Sequence, residues 1–345
     1  MSTNTIYFLL LMIIIVSLLF TLSNGLHDAS SVVATFISCG AAGPMQAILL
    51  AAICGFAGSV MGGSAVANTV QGIVNIPADT ALLKVLLAAI FGAVIWNIIT
   101  WKLGFPSSST HALVGGLIGA VWVAEGAGSI LWGWGELTAS DHHLIGIMKI
   151  LVGLIISPIL GFVVAFLLQR FANFMFRNAK FNLNNGLKRI QWIIAALLAY
   201  SHGANDTQKI VGIIVLAQAS AGLAGTQFPI IGIKALVGAL MFVGTLLGGW
   251  PIMKTIGRGI YTIRPIHSLN SQLSSGGCLM FATMLGAPVS TTHVVVGSVV
   301  GAGAADEFKM VNWTIGKEII IAWGVTIPAS TFMGALTYLL LQMIG

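Results

Sequence analysis

The chain has 345 residues, of which 57% are hydrophobic and only 7% charged, with a mean hydropathy of +0.99. A soluble domain carries about 25% charged residues to keep its surface wet, so composition excludes one and makes this an integral membrane protein. In that setting the net charge of +6 says nothing of nucleic acid, and Cys39, Cys54 and Cys278 lie in apolar runs without metal-ligand or redox-pair spacing.

The apolar segments are long and continuous rather than alternating, which predicts an all-α polytopic protein and not a transmembrane barrel. At ~20 residues per crossing, the length holds about ten to twelve transmembrane or re-entrant helical segments. The first, residues 5–22, lacks a basic leader and a small-residue cleavage site, so it reads as a retained helix. It is expected to break at Ser23-Asn24-Gly25 and to resume over 29–38. Residues 45–60 form the next span, and Asp79 is placed to cap a helix over 80–101. Pro106-Ser107-Ser108-Ser109-Thr110-His111 then opens a glycine-rich run. Trp122, Trp132 and Trp134 mark 125–143 as an interfacial loop, and 144–168 crosses again.

Residues 170–189 hold Arg170, Arg177, Lys180, Lys188 and Arg189 and no acid, which predicts a cytoplasmic loop by the positive-inside rule. It divides the chain into 1–169 and 190–345. After it the pattern restarts. The run 190–200 is expected to break at 201–206 and resume over 207–219; 228–250 crosses; 276–285 leads to Pro288-Val289-Ser290-Thr291-Thr292-His293; and 313–343 closes the chain with Pro328 in its middle.

The two halves match in two places. Asn24-Gly25-Leu26-His27-Asp28 lies over His202-Gly203-Ala204-Asn205-Asp206 at an offset of 178 residues, and 106–119 lies over 288–301 at an offset of 182, in the pattern P-x-S-[ST]-T-H-x-x-x-G-x-x-x-G. Two collinear matches indicate an internal repeat. A repeat with a polar interruption at corresponding places in each half points to a secondary transporter.

Asp28 and Asp206 each lie deep in an apolar run, where a carboxylate costs roughly 2.5–3.5 kcal/mol unless it is paired or hydrated. A helix cap needs no such charge, so the pair reads as a cation or proton site, with Asn24 and Asn205 supplying neutral oxygens. The clusters Ser107–Thr110 and Ser290–Thr292 place hydroxyls and backbone N–H groups at a helix start, a setting that binds an oxyanion. His111 and His293 follow them directly and fit either a site role or helix packing. His27 fits a proton carrier or substrate donor, and Lys209 either neutralises Asp206 or attracts an anion. Gly115, Gly119, Gly297 and Gly301 have the small-residue spacing of close helix packing. No metal-enzyme spacing or nucleophile–base set is present, so an intramembrane enzyme is not expected, and the clustered polar residues do not form the continuous polar face of a channel.

The motifs N-G-x-H-D and S-H-G-A-N-D-T-Q-K-I-V-G-I, with P-x-S-[ST]-T-H in each half, resemble the inorganic phosphate transporter (PiT) family, its bacterial low-affinity members above all. The resemblance covers residues 5–342. It implies an inverted-repeat carrier of the cell membrane, a homodimer, which moves phosphate with Na⁺ or H⁺ and needs no other cofactor. By the same resemblance, Asp28, Asp206, His27, Gln208, Ser107, Ser108, Ser109, Thr110, Ser290, Thr291 and Thr292 bind substrate, and Asn24, Asp28, Asn205, Asp206 and Ser31 bind the cation. Ser31 stands where the family usually has an asparagine, which leaves the coupling ion open. The alternative is a sulfate or other oxyanion permease on the same scaffold. Protonation separates the two anions: a carboxylate can accept a proton from HPO₄²⁻ or H₂PO₄⁻, and this favours phosphate.

Overall fold

A computed structural model describes residues 2–73, 79–135, 144–178, 182–223 and 229–344. Among them are twelve α-helices. The first half holds α1 (Thr3–Ser38), α2 (Pro44–Met61), α3 (Ala65–Gln71), α4 (Thr80–Leu103), α5 (Ser109–Glu125) and α6 (Gly146–Met175). The second holds α7 (Leu183–Ser220), α8 (Ile230–Leu247), α9 (Trp250–Lys254), α10 (Pro265–Met284), α11 (Thr291–Asp306) and α12 (Trp313–Ile344). Six of them, α1, α2, α4, α6, α8 and α12, are long and apolar enough to cross a bilayer, and the chain is a multi-pass membrane protein. Asp79 caps α4 as expected, its carboxylate accepting from the N–H groups of Ala81 and Leu82.

The expected breaks at Ser23–Gly25 and Ser201–Asp206 are absent. α1 and α7 run through both motifs as continuous helices of 36 and 38 residues. The motif glycines serve a different purpose. A Cβ on Gly25 would lie 2.6 Å from the Met241 carbonyl of α8, and one on Gly203 would run into the Gly55 backbone of α2. Each glycine lets its helix cross a neighbour at backbone distance, so the ladder stays closed while the polar side chains find partners on other helices. The interruptions fall instead between α4 and α5, where α4 ends at Gly104 in the left-handed conformation (φ 72°), and between α10 and α11, past Gly286 (φ 67°).

The basic segment is also shorter as a loop than expected. α6 continues to Met175 and α7 begins at Leu183, so Arg170, Lys188 and Arg189 lie on helices, and Lys180 lies outside the described residues. Of the interfacial stretch, Ala127–Ser129 forms a 3₁₀ turn and 136–143 is outside the described residues.

Helix contacts come in matched pairs. α5 packs on α12 as α11 packs on α6; α1 packs on α8 as α7 packs on α2; α1 packs on α4 as α7 packs on α10. Gly119 meets the Thr331 backbone of α12 and Gly301 the Phe162 backbone of α6, the close packing expected of that spacing. Two apolar cores result. α1 gives Leu9, Ile13 and Phe20 to one and Val32, Val33 and Phe36 to the other, whereas α7 gives Ala195 and Leu198 to the second before Ile210 and Ile214 to the first. The two motif helices therefore run in opposite senses. α5 extends into the first core and α11 into the second, and their starting ends face each other, with the His111 and His293 rings 4.5 Å apart. Between the cores lies a band of buried polar residues.

Candidate functional site

Asp28 and Asp206 are each about 2% exposed, and a carboxylate at such a depth requires donors. Asp28 has three. Ser109 donates to Oδ2 over 2.6 Å, Thr292 donates to Oδ1 over 2.7 Å, and the His27 Nδ1 lies 3.0 Å from Oδ1. Ser109 belongs to the first half and Thr292 to the second, so hydroxyls from both helix starts converge on one carboxylate. His27 is held from its other side by Ser107, whose Oγ is 3.1 Å from Nε2, with Thr100 beyond it.

Asp206 is held differently. The Lys209 ammonium donates to Oδ1 over 2.5 Å, the Asn24 amide donates to Oδ2 over 3.1 Å, and the His202 Nδ1 lies 3.2 Å from Oδ2. Lys209 also donates to Thr110 Oγ1 (2.6 Å) and to the Val289 carbonyl (2.8 Å). His202 in turn meets Thr291 at 3.1 Å. Asn24 thus ties α1 to α7, and Thr110 and Thr291 tie both helix starts to Asp206.

Ser108 and Ser290 begin α5 and α11 in matching ways. The Ser108 Oγ accepts the His111 N–H (3.1 Å), and the Ser290 Oγ accepts the His293 N–H (3.3 Å). They are N-caps, which leaves Ser109 and Thr292 to turn their hydroxyls on Asp28 and Thr110 and Thr291 to meet Lys209 and His202, the partners of Asp206. The first turn of each helix also presents N–H groups that have no acceptor within the helix, and the two dipoles direct positive ends into the same band. The arrangement combines two acids with the N-terminal ends of two helices, where free N–H groups favour negative charge.

Not every expected residue joins this cluster. Gln208 accepts the Val66 N–H (2.9 Å) and donates to the Ala204 carbonyl (2.8 Å), so its amide secures the start of α3. Ser31 donates back to the Asp28 carbonyl over 2.7 Å. Asn205 donates to Thr283 (2.9 Å) and to the Ala287 carbonyl (3.2 Å). Its Oδ1 and that of Asn24 are buried without a hydrogen-bond partner, which leaves two neutral oxygens of the type a hard cation takes. His111 and His293 meet each other rather than the carboxylates, and His293 stacks on Trp323 with centroids 3.8 Å apart.

Sequence reasoning passed over Thr100 and Asn97, polar residues three apart in the apolar run of α4, which reach His27 and Ser23. It also passed over Asp306. That carboxylate, at the end of α11, accepts from Gln169 (2.9 Å) and Asn173 (2.7 Å) on α6 and from His267 (2.7 Å) and Arg264 (2.9 Å) at the start of α10. An acid closing a glycine-rich run, with Gln169 near the end of a long apolar helix, was the available signal.

The sequence matches the Phosphate transporter family twice, over residues 24–188 and 176–334. A Bacillus subtilis (strain 168) protein described as a probable low-affinity inorganic phosphate transporter is 37% identical over 340 residues, 97% of this chain and 98% of its own. A Rhizobium meliloti (strain 1021) protein of the same description is 35% identical over 348 positions, covering 100% of both chains. Among solved structures, one described as the sodium-dependent phosphate transporter superposes with a TM-score of 0.83 at 26% identity, over 98% of this chain and 100% of its own.

Proposed function

The chain belongs to the Phosphate transporter family, whose matched members are transporters and not enzymes, and from that premise we propose that it imports inorganic phosphate by symport with a cation, H⁺ or Na⁺, through alternating access. The observation that carries this reading is the convergence of Ser109 and Thr292, one from each half, on Asp28. An oxyanion arriving between the two helix starts finds hydroxyl and N–H donors on both sides, and the carboxylates beside it accept the proton that phosphate keeps and sulfate lacks at neutral pH. The unpartnered amide oxygens of Asn24 and Asn205 suit the coupling cation.

The opposite senses of α1 and α7 and the matched helix contacts support an inverted repeat, the architecture that alternates access by rocking one part against another around a fixed central site. The cell membrane and the homodimer rest on the family resemblance, and the cytoplasmic side of the basic segment on its lysines and arginines.

The test is uptake of radiolabelled phosphate and sulfate by proteoliposomes under imposed Na⁺ or pH gradients. Phosphate is expected to accumulate above equilibrium when the cation gradient points inward and to stop when it is collapsed. Sulfate uptake that phosphate does not compete with would overturn the substrate, and phosphate flux indifferent to both gradients would overturn symport.

A further inference from the structure

Among the described residues Lys209 is the one buried lysine or arginine, and its surroundings have a counterpart without it. The offset of 178 that carries Asp206 to Asp28 carries Lys209 to Ser31, and the offset of 182 carries Thr110 to Thr292 and Val289 to Ser107. In the second half the ammonium sits among Asp206 Oδ1, Thr110 Oγ1 and the Val289 carbonyl, at 2.5, 2.6 and 2.8 Å. The matching trio in the first half is Asp28, Thr292 and the Ser107 carbonyl. There no ammonium intervenes, and Thr292 closes directly on Asp28 over 2.7 Å.

An ammonium has three N–H donors, and all three of Lys209 are spent on these oxygens. The side chain is 3% exposed, so solvent does not share its charge. No donor is left over for an anion, which decides between the two readings that the sequence permits. A carboxylate, a hydroxyl and a carbonyl form an oxygen set of the type that binds hard monovalent or divalent cations. Among the described residues, Asp28 has no ammonium at hydrogen-bond distance; its partners are the His27 ring and the Ser109 and Thr292 hydroxyls.

Resting on the symport reading above, we infer that the Lys209 ammonium is a built-in counter-cation: it fills one of two equivalent cation positions, so that a single coupling cation, held at the other by Asp28, Thr292 and the Ser107 carbonyl, accompanies each phosphate. Lys209 then sets the coupling stoichiometry without touching the anion, as a positioning and specificity residue. Replacing it with the residue of the first half opens the second position.

The experiment compares wild type with Lys209→Ser in two measurements. The first is phosphate uptake by proteoliposomes as a function of the driving cation. Wild-type uptake is expected to depend hyperbolically on Na⁺ or H⁺, whichever drives it, and a sigmoidal dependence in the wild type overturns the inference. The second is thermal unfolding of the purified protein in NaCl against choline chloride, without phosphate. Lys209→Ser is expected to gain a Na⁺-dependent rise in melting temperature that exceeds the wild type's, and uptake by the variant is expected to become sigmoidal in Na⁺. A folded variant with no added response to Na⁺ overturns the inference, as does a variant that stays unfolded at every NaCl concentration, since Na⁺ then fails to replace the ammonium. If wild-type phosphate uptake ignores all cation gradients, the symport reading itself fails; if only the variant fails to gain Na⁺ dependence, that reading stands and the role of Lys209 falls.

Discussion

Thr292 donates its hydroxyl to Asp28 over 2.7 Å, and the two residues lie in opposite halves of the chain, on α11 and α1. Ser109 reaches the same carboxylate from α5 at 2.6 Å. These bonds hold the acid in place, and in the symport proposed above the same hydroxyls receive the anion. A hydrogen bond to a charged group contributes about 1.5–3 kcal/mol. Ser109→Ala and Thr292→Val are therefore each expected to lower the efficiency of phosphate uptake about 10- to 100-fold. Thr21→Val is the control, because the Thr21 hydroxyl bonds only the Ser17 carbonyl one turn back; its uptake should match the wild type. Equal rates for all three variants, normalised to folded protein, would return the Asp28 hydroxyls to a packing role.

Asp206→Asn keeps the side-chain shape and one acceptor for Lys209 but removes the charge. A buried ammonium is then left without its counter-ion, a loss of about 3–5 kcal/mol when one member of a buried pair is removed. Phosphate uptake should vanish, and the melting temperature of the purified variant should fall below that of the wild type. A variant that transports at wild-type rates would reduce Asp206 to a structural acceptor.

The contents of the site were legible in the sequence because they are expensive. Carboxylates in apolar runs and hydroxyl clusters behind prolines are visible without coordinates, and the structure does bring Asp28, Asp206, Ser109, Thr110, Thr291 and Thr292 into one band. What was not legible was how the helices stay whole. Gly25 and Gly203 read as helix breakers in one dimension, because the α8 and α2 backbones that require them are more than a hundred residues away in the chain. The same holds for Gln208, which a motif groups with the site and a contact with Val66 removes from it. The fate of Lys209 depended on three partners, two of them from other elements, and no local pattern names them.

The role of Gly203 can be measured directly. Alanine is favoured over glycine inside a helix by about 1 kcal/mol, so a solvent-like or loosely packed position should gain from the change. At 203 an added methyl meets the Gly55 backbone, and overpacking costs about 1–3 kcal/mol. Gly203→Ala is expected to lower the melting temperature, whereas Gly277→Ala, on α10 with no heavy atom within 4 Å of the new methyl, should leave it unchanged or raise it. Stabilisation by Gly203→Ala would show that the helices do not cross at backbone distance there.

Asp306 gives a pH dependence of defined sign. Burial alone raises its pKa, but hydrogen bonds from His267, Asn173 and Gln169 outweigh burial and hold the carboxyl well below the usual carboxylate range. The tautomer is consistent with this, since the Arg264 backbone N–H donates to the His267 Nδ1 (3.3 Å) and leaves the proton on Nε2 for Asp306. Arg264 adds little, because its side chain is 61% exposed and solvent screens the pair. A carboxyl with a depressed pKa in the folded protein stabilises it at every pH above its unfolded value, about 4, and loses that contribution as pH falls further towards the folded value. Asp306→Asn should therefore melt below the wild type by a constant margin from neutral pH down to about 5, and the margin should shrink below about 4. Thermal unfolding in detergent across that range checks it. A margin that grows on acidification would mean that Asp306 is not the ionised hub joining α6, α10 and α11.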